Sequence, residues 1–241
     1  MWQFETGVLE VIQRTPEIKT FRLDARGRKD VRYEAGQYFY VFIKVGEQEA
    51  EHHFTISSSP TETEKAGYLE FTKRITASDY SQALDRMKPG DWARLEGPEG
   101  RFTLPRKKAN LAFLSGGIGI TPLRSMLRYV ADKGLEHNVV LIYGNRNWED
   151  IAFRDELEQI AGTHDNIRIE HVLSDGDFPP GRTGKKGHIT RDIVAEVVRD
   201  YKERTFYLSG PLKMVQSLEE QLAEIDVPKK QVKRDYFPGY D

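Results

Sequence analysis

No cysteine occurs in the 241 residues. That excludes a disulfide framework, a thiolate zinc site, a cysteine nucleophile and a Cys-ligated iron–sulfur cluster. Long apolar runs are missing as well. The longest stretch without charge, residues 109–123, is interrupted by Gly116, Gly117, Gly119 and Pro122, and is too short and too broken to span a bilayer. There is no excess of either charge: 36 Lys plus Arg against 38 Asp plus Glu leaves −2. A surface for nucleic-acid phosphates would need a basic surplus. The start, Met1-Trp2-Gln3-Phe4-Glu5, has neither a basic opening nor an apolar stretch, so no signal peptide and a cytoplasmic location are expected. Adjacent His52 and His53 hint at a metal, but neighbours in a strand face opposite ways and no third ligand is spaced for them, so no metal is expected.

What is present falls into two rhythms. Residues 1–106 read as short β-branched and aromatic strands, at 7–12, 18–23, 38–43, 68–74 and 92–96, bounded by Pro, Gly or charged turns. This is the pattern of an antiparallel β-barrel or sandwich. One helix interrupts it, with Ser78 as N-cap, Tyr80, Leu84 and Met87 at helical spacing, and Pro89-Gly90 as the stop. Residues 107–241 alternate strand and helix. Strands are expected at 111–114, 139–143, 167–173 and 205–208, and helices at about 122–131, 154–160, 192–202 and 212–225. That is an α/β doubly wound pattern with a mostly parallel sheet. Residues 174–186, with scattered Gly and Pro, read as a long mobile loop.

Two stretches carry chemistry. In Leu114-Ser115-Gly116-Gly117-Ile118-Gly119-Ile120-Thr121-Pro122 a strand runs into a glycine turn and a helix start. Glycines admit close backbone approach, and a helix N-terminus offers unpaired N–H groups to a pyrophosphate. The spacing is not G-x-G-x-x-G, and a turn that merely packs strand on helix is the alternative. Tyr143-Gly144-Asn145-Arg146 and Ser209-Gly210-Pro211, with Met214 beyond, end two other strands, and parallel sheets bind ligands at such ends. In the barrel half, His52-His53-Phe54-Thr55-Ile56-Ser57-Ser58-Ser59-Pro60 sets an aromatic among hydroxyls. A flat ligand could stack on Phe54 and bond the Thr55 hydroxyl, with His52 donating to phosphate. Read blandly, the serines are a polar turn and His52 a surface residue.

These residues together resemble the ferredoxin–NADP reductase superfamily in its two-domain core form, over essentially the whole chain. Its flavin motif is similar to His52-His53-Phe54-Thr55 with the following small residues and Pro60. Ala35-Gly36-Gln37-Tyr38, Gly97-Pro98-Glu99-Gly100-Arg101-Phe102, the glycine turn and Ser209-Gly210-Pro211 resemble further elements, in the family's order. The resemblance implies a FAD-binding barrel over 1–106 and an NAD(P)-binding domain over 107–241. It implies that Phe54 packs on the isoalloxazine, that Thr55 bonds near flavin N5, and that His52 stands where the family's arginine meets pyrophosphate. Ile56, Tyr80 and Ser81 would also hold FAD, and Thr72, Lys73 and Arg74 would run beside it. Thr121 would lie near the flavin–nicotinamide junction and Ser209 where the family often has cysteine, both counted with Thr55 as catalytic. Gly116, Gly117, Gly119, Arg146, Gly210 and Met214 would line the nucleotide crevice. Phe237 first, Tyr240 second, would cover the far flavin face. The implied activity is hydride transfer from NADPH or NADH to FAD, with electrons passed to a ferredoxin, a flavodoxin or an oxygenase component. Reduction of free flavins or ferric chelates, or service as an electron-transfer subunit, are the alternatives. The choice between NADH and NADPH stays open.

Overall fold

The computed structural model describes residues 1–237; the side chain of Phe237 lies outside that description, as do residues 238–241 and with them Tyr240. The chain divides into two compact units. The first comprises Met1–Leu104 and the helical segment Arg124–Tyr129; the second comprises Pro105–Leu123 and Val130–Asp241.

In the first unit, strands β1 (Trp2–Gln13), β2 (Ile18–Asp24), β3 (Tyr38–Val45), β4 (Gln48–Thr55), β5 (Tyr68–Arg74) and β6 (Trp92–Glu99) form one antiparallel sheet in the order β4-β3-β6-β1-β2-β5. Period-two patterning turns Phe39, Val41 and Ile43 of β3 inward onto Phe21, Leu23, Leu69, Phe71 and Leu95. Each such side chain, fully buried, contributes about 1.5–3 kcal/mol. The sheet curls until its edges meet: the Ser57 N–H donates to Glu70 O at 2.7 Å, and the rings of Phe54 and Phe71 stack with centroids 4.6 Å apart. Closure into a barrel leaves less of each edge strand unpaired. Gly36 and the Gly97–Phe102 stretch abut: a Cβ on Gly36 would lie 2.1 Å from Phe102 O, and Gln37 Nε2 donates to Gly100 O at 3.1 Å.

Two helices, not one, interrupt these strands. α2 (Asp79–Asp85) starts at Ser78 as expected, while α1 (Pro60–Ala66) was not expected from the serine run. Its cause is a capping box: Ser59 Oγ accepts from the Glu62 N–H and the Glu62 carboxylate accepts from the Ser59 N–H, with Pro60 in the first turn and Gly67 closing at φ 70°.

In the second unit, β7 (Asn110–Gly116), β8 (Asn138–Asn145), β9 (Ile167–Leu173), β10 (Lys185–Lys186), β11 (Thr205–Pro211) and β12 (Val232–Phe237) form a parallel sheet, β10-β9-β8-β7-β11-β12. The helices are α3 (Ile120–Lys133), α4 (Arg154–Thr163), α5 (Arg191–Val197) and α6 (Leu212–Glu224). β7 lies between β8 and β11, so the strand order reverses where the glycine turn leaves the sheet.

Three expectations are corrected here, and one strand is added. α3 begins at Ile120, and Pro122 sits inside its first turn, where the missing N–H costs nothing. α5 stops at Val197, and a single tight turn over Tyr201–Glu203 replaces its expected end. Residues 174–186 are fastened: the N–H groups of Asp175 and Gly176 donate to Arg146 O, Phe178 packs edge-on against Trp148, and Arg182 pairs with Glu158 at 3.0 Å. The tail forms a strand, β12, alongside β11. Among the described residues no helix is long and apolar enough to cross a membrane.

Candidate functional site

In the first unit the candidate residues gather at the C-terminal end of β4 and beside β5 and α2. Alternation sends His52 and Phe54 to one face, toward Tyr80 and Phe71, and His53 to the other, against Tyr38 and Tyr40. Phe54 stacks on Phe71 by one ring face and remains half-buried, which leaves aromatic surface for a flat ligand. Thr55 is buried, and among the described residues its hydroxyl has no hydrogen-bond partner. The Tyr80 hydroxyl donates to Val41 O at 2.7 Å and so fixes the ring against which His52 lies edge-on, 4.4 Å between centroids. Partial burial, and then Lys73 and His53, hold the His52 imidazole below its ordinary pKa.

Other expected cofactor residues also bond or pack within the protein. The Thr72 hydroxyl bonds those of Thr20 at 2.7 Å and Ser57 at 3.1 Å, so only its backbone is free to run beside a ligand. Ile56 is a core residue. Ser81 is buried, its Oγ accepting from the Thr76 N–H at 2.7 Å. Lys73 is buried, and Arg74 lies 3.7 Å from Glu17.

In the second unit the glycine turn is pressed against the end of β11. A Cβ on Gly119 would come within 2.2 Å of Ser209 O, and one on Gly116 within 2.3 Å of Met214 Sδ. The β11 backbone therefore demands Gly119, Gly116 is crowded by the movable end of the Met214 side chain, and Gly117 is required by its φ of +52°. Tyr143 Oη donates to Gly117 O at 2.9 Å and pins the turn; Thr121 Oγ1 donates to Ile118 O at 3.2 Å. Met214 packs both on the turn and on the core, and Arg146 is exposed at the end of β8. Among the described residues, the hydroxyls of Ser115 and Ser209 and the Asn145 amide nitrogen are buried at these strand ends without a partner. Unpaired buried polar atoms cost about 1–3 kcal/mol each, a cost that a bound ligand would relieve.

Strand register adds residues that sequence patterning passed over. His171, Tyr143, Ser115, Ser209 and Asp235 occupy one row across β9, β8, β7, β11 and β12. Burial raises the Asp235 carboxyl to about 6. Burial, and then Arg154 and Arg182, lower His171 to about 4. No sequence signal marks either, because only register brings them level with Ser209.

An oxidoreductase FAD-binding domain matches residues 7–104 and an oxidoreductase NAD-binding domain residues 113–220. A "Ferredoxin--NADP reductase B" of Sorangium cellulosum is 32% identical over 238 residues, 95% of each chain. The chain belongs to the ferredoxin–NADP reductase superfamily. A propane 2-monooxygenase reductase component of Gordonia sp. is 28% identical over 98% of this chain and 68% of its own length. Among solved structures, a ferredoxin NADP+ reductase from Neisseria gonorrhoeae with bound FAD and NADP superposes with TM-score 0.81, at 20% identity, over 97% of this chain and 98% of that one.

As a superfamily member the protein is an FAD-dependent NAD(P)H oxidoreductase with FAD as cofactor. The residues present fit those groups. A half-exposed aromatic beside an unpartnered hydroxyl suits a flat, hydrogen-bonding ring, and three orphaned polar groups at parallel strand ends suit a nucleotide.

Proposed function

We propose that this reductase takes hydride from NADPH or NADH and delivers electrons singly to an external protein acceptor in the cytoplasm: a ferredoxin, a flavodoxin or an oxygenase component. FAD, when bound, would supply hydride acceptance and release of electrons one at a time. The protein supplies orientation, hydrogen bonds and exclusion of water. The domains run over 1–106 for FAD and 107–241 for the nucleotide. Phe54 offers its ring to the isoalloxazine, Thr55 a hydroxyl to the ring edge, and His52 a proton to the pyrophosphate. Tyr80, Ser81 and the Thr72-Lys73-Arg74 backbone complete the FAD side, with Ile56 setting the strand end from the core. Gly116, Gly117, Gly119, Thr121, Arg146, Ser209, Gly210 and Met214 form the nucleotide side.

The Phe54–Thr55 pair at the end of β4 carries this reading: one face of the ring is packed, and the neighbouring hydroxyl is unpartnered. The relatives' names support the acceptor class, a ferredoxin in one and an oxygenase system in another. The test is direct. Purified protein should be yellow and should bleach anaerobically with NADPH or NADH. Reduced protein should then reduce ferredoxin or flavodoxin faster than free FMN or ferric citrate. Protein that stays colourless with added FAD would remove the reading, and a preference for the free acceptors would reassign it to a flavin or ferric reductase.

A further inference from the structure

The Ser57-Ser58-Ser59 corner that follows Thr55 has no bulky side chain to seat it. Its position rests on hydrogen bonds, and two of them come from Arg124 and Ser125, which group with the first unit. Arg124 is 2% exposed. Its Nη1 donates to Ser57 O at 2.8 Å and to Glu62 Oε2 at 2.6 Å, and its Nη2 donates to Glu62 Oε1 at 2.8 Å. Glu62 Oε2 in turn accepts from the Ser59 N–H at 2.8 Å, and Ser125 Oγ donates to Ser58 O at 2.7 Å. The guanidinium also lies 3.6 Å from Glu70, which accepts from Ser57 Oγ at 3.0 Å and pairs with Arg22 at 3.0 Å. Burial would push the Glu62 carboxyl up, but Arg124 outweighs it and holds it below the usual range.

A buried ion network of this kind is costly to desolvate, and a hydrophobic cluster of equal volume would give as much stability. What it adds is directional: a planar fork that grips one carboxylate with two bonds and one carbonyl with a third. The gripped carbonyl lies two residues from Thr55.

We propose that Arg124 is a positioning residue for the reductase reaction, acting through Ser57 and Glu62 to fix where β4 presents Phe54 and the Thr55 hydroxyl. The proposal rests on the FAD reading above. Misplacement of a reacting geometry by about 1 Å costs on the order of a hundredfold in rate, so loosening the corner acts on turnover more than on nucleotide affinity.

The test compares wild type, Arg124→Lys, which keeps the charge and loses the fork, and Ser125→Ala, which removes one bond. Hydrogen exchange of the apo proteins over residues 55–59 should quicken about tenfold in Arg124→Lys and less in Ser125→Ala, with β1 unchanged. The limiting rate of anaerobic flavin reduction should fall about 10–100-fold in Arg124→Lys, with the KM for NAD(P)H within about twofold. Unchanged exchange in both variants overturns the proposal, as does faster exchange with flavin reduction at the wild-type rate. A colourless wild type is a different result: it removes the FAD reading and the positioning role with it, whatever the exchange arm shows.

Discussion

On the reading proposed above, His52 meets the pyrophosphate, and its neutral form is favoured by partial burial and by Lys73 and His53. Phosphate binding would restore its proton. FAD affinity should therefore rise as pH falls from 8 to 5.5, and His52→Arg should flatten that profile and tighten binding at pH 8, as read by flavin fluorescence titration. Asp235 gives the opposite kind of signature. Its folded-state value is raised from 3.8 to about 6, so the native form binds the extra proton between those values. Stability contributed by that proton is lost as pH rises through the window, and the cost persists above it. Asp235→Asn should stabilise the apo protein by about 1–3 kcal/mol at pH 7.5 and by nothing below pH ~4, measured by urea denaturation. Both residues are plain in the sequence. What the sequence does not disclose is burial, which sets the direction of each shift.

Elements divide by how far their cause is local. β3 was legible because Tyr38-Phe39-Tyr40-Val41-Phe42-Ile43 is a continuous aromatic and β-branched run, a one-dimensional signal, while the alternation of its burial is set by the fold. The signal for α1 was also local, Ser59-Pro60-Thr61-Glu62, yet a run of serines reads more readily as a turn. β12 carries Lys233-Arg234-Asp235 and has no strand-like patterning; pairing with β11 makes it a strand. At the glycine turn the three glycines are alike in sequence and differ in cause. Gly119 has φ −60°, so a side chain there meets no backbone strain but does meet the β11 backbone, Ser209 O at 2.2 Å and Gly210 Cα at 2.5 Å. Gly119→Ala should cost about 1–3 kcal/mol from overpacking and should raise the KM for NAD(P)H, since the turn must shift from β11. Wild-type stability and KM in the alanine variant would refute this account of the turn.

For the whole molecule, each unit carries its own sheet and core, and the FAD residues proposed above all belong to the first. Ligand linkage then gives a regional prediction. FAD at a hundredfold over its Kd should stabilise the chain by about 2.7 kcal/mol. Slowing of hydrogen exchange should be greatest at residues 52–81. NADP+ or NAD+ should slow exchange at residues 115–121 and 144–147 instead. Protection by FAD confined to the second unit would contradict the domain assignment.

Composition and local pattern alone decided a great deal. The absence of cysteine closed off whole classes of chemistry, period two against strand–helix alternation separated the halves, and the order of short motifs pointed to the superfamily. These are properties of neighbours along the chain, where spacing dictates which face a side chain takes. The tertiary structure decided which polar atoms end up satisfied. It turned the serine corner into a seat for Arg124, gave the Thr72 hydroxyl to Thr20, left those of Ser115 and Ser209 unpaired, and set Asp235 level with Ser209. Each of those outcomes depends on residues far apart in sequence meeting where water is excluded, and no periodicity encodes that.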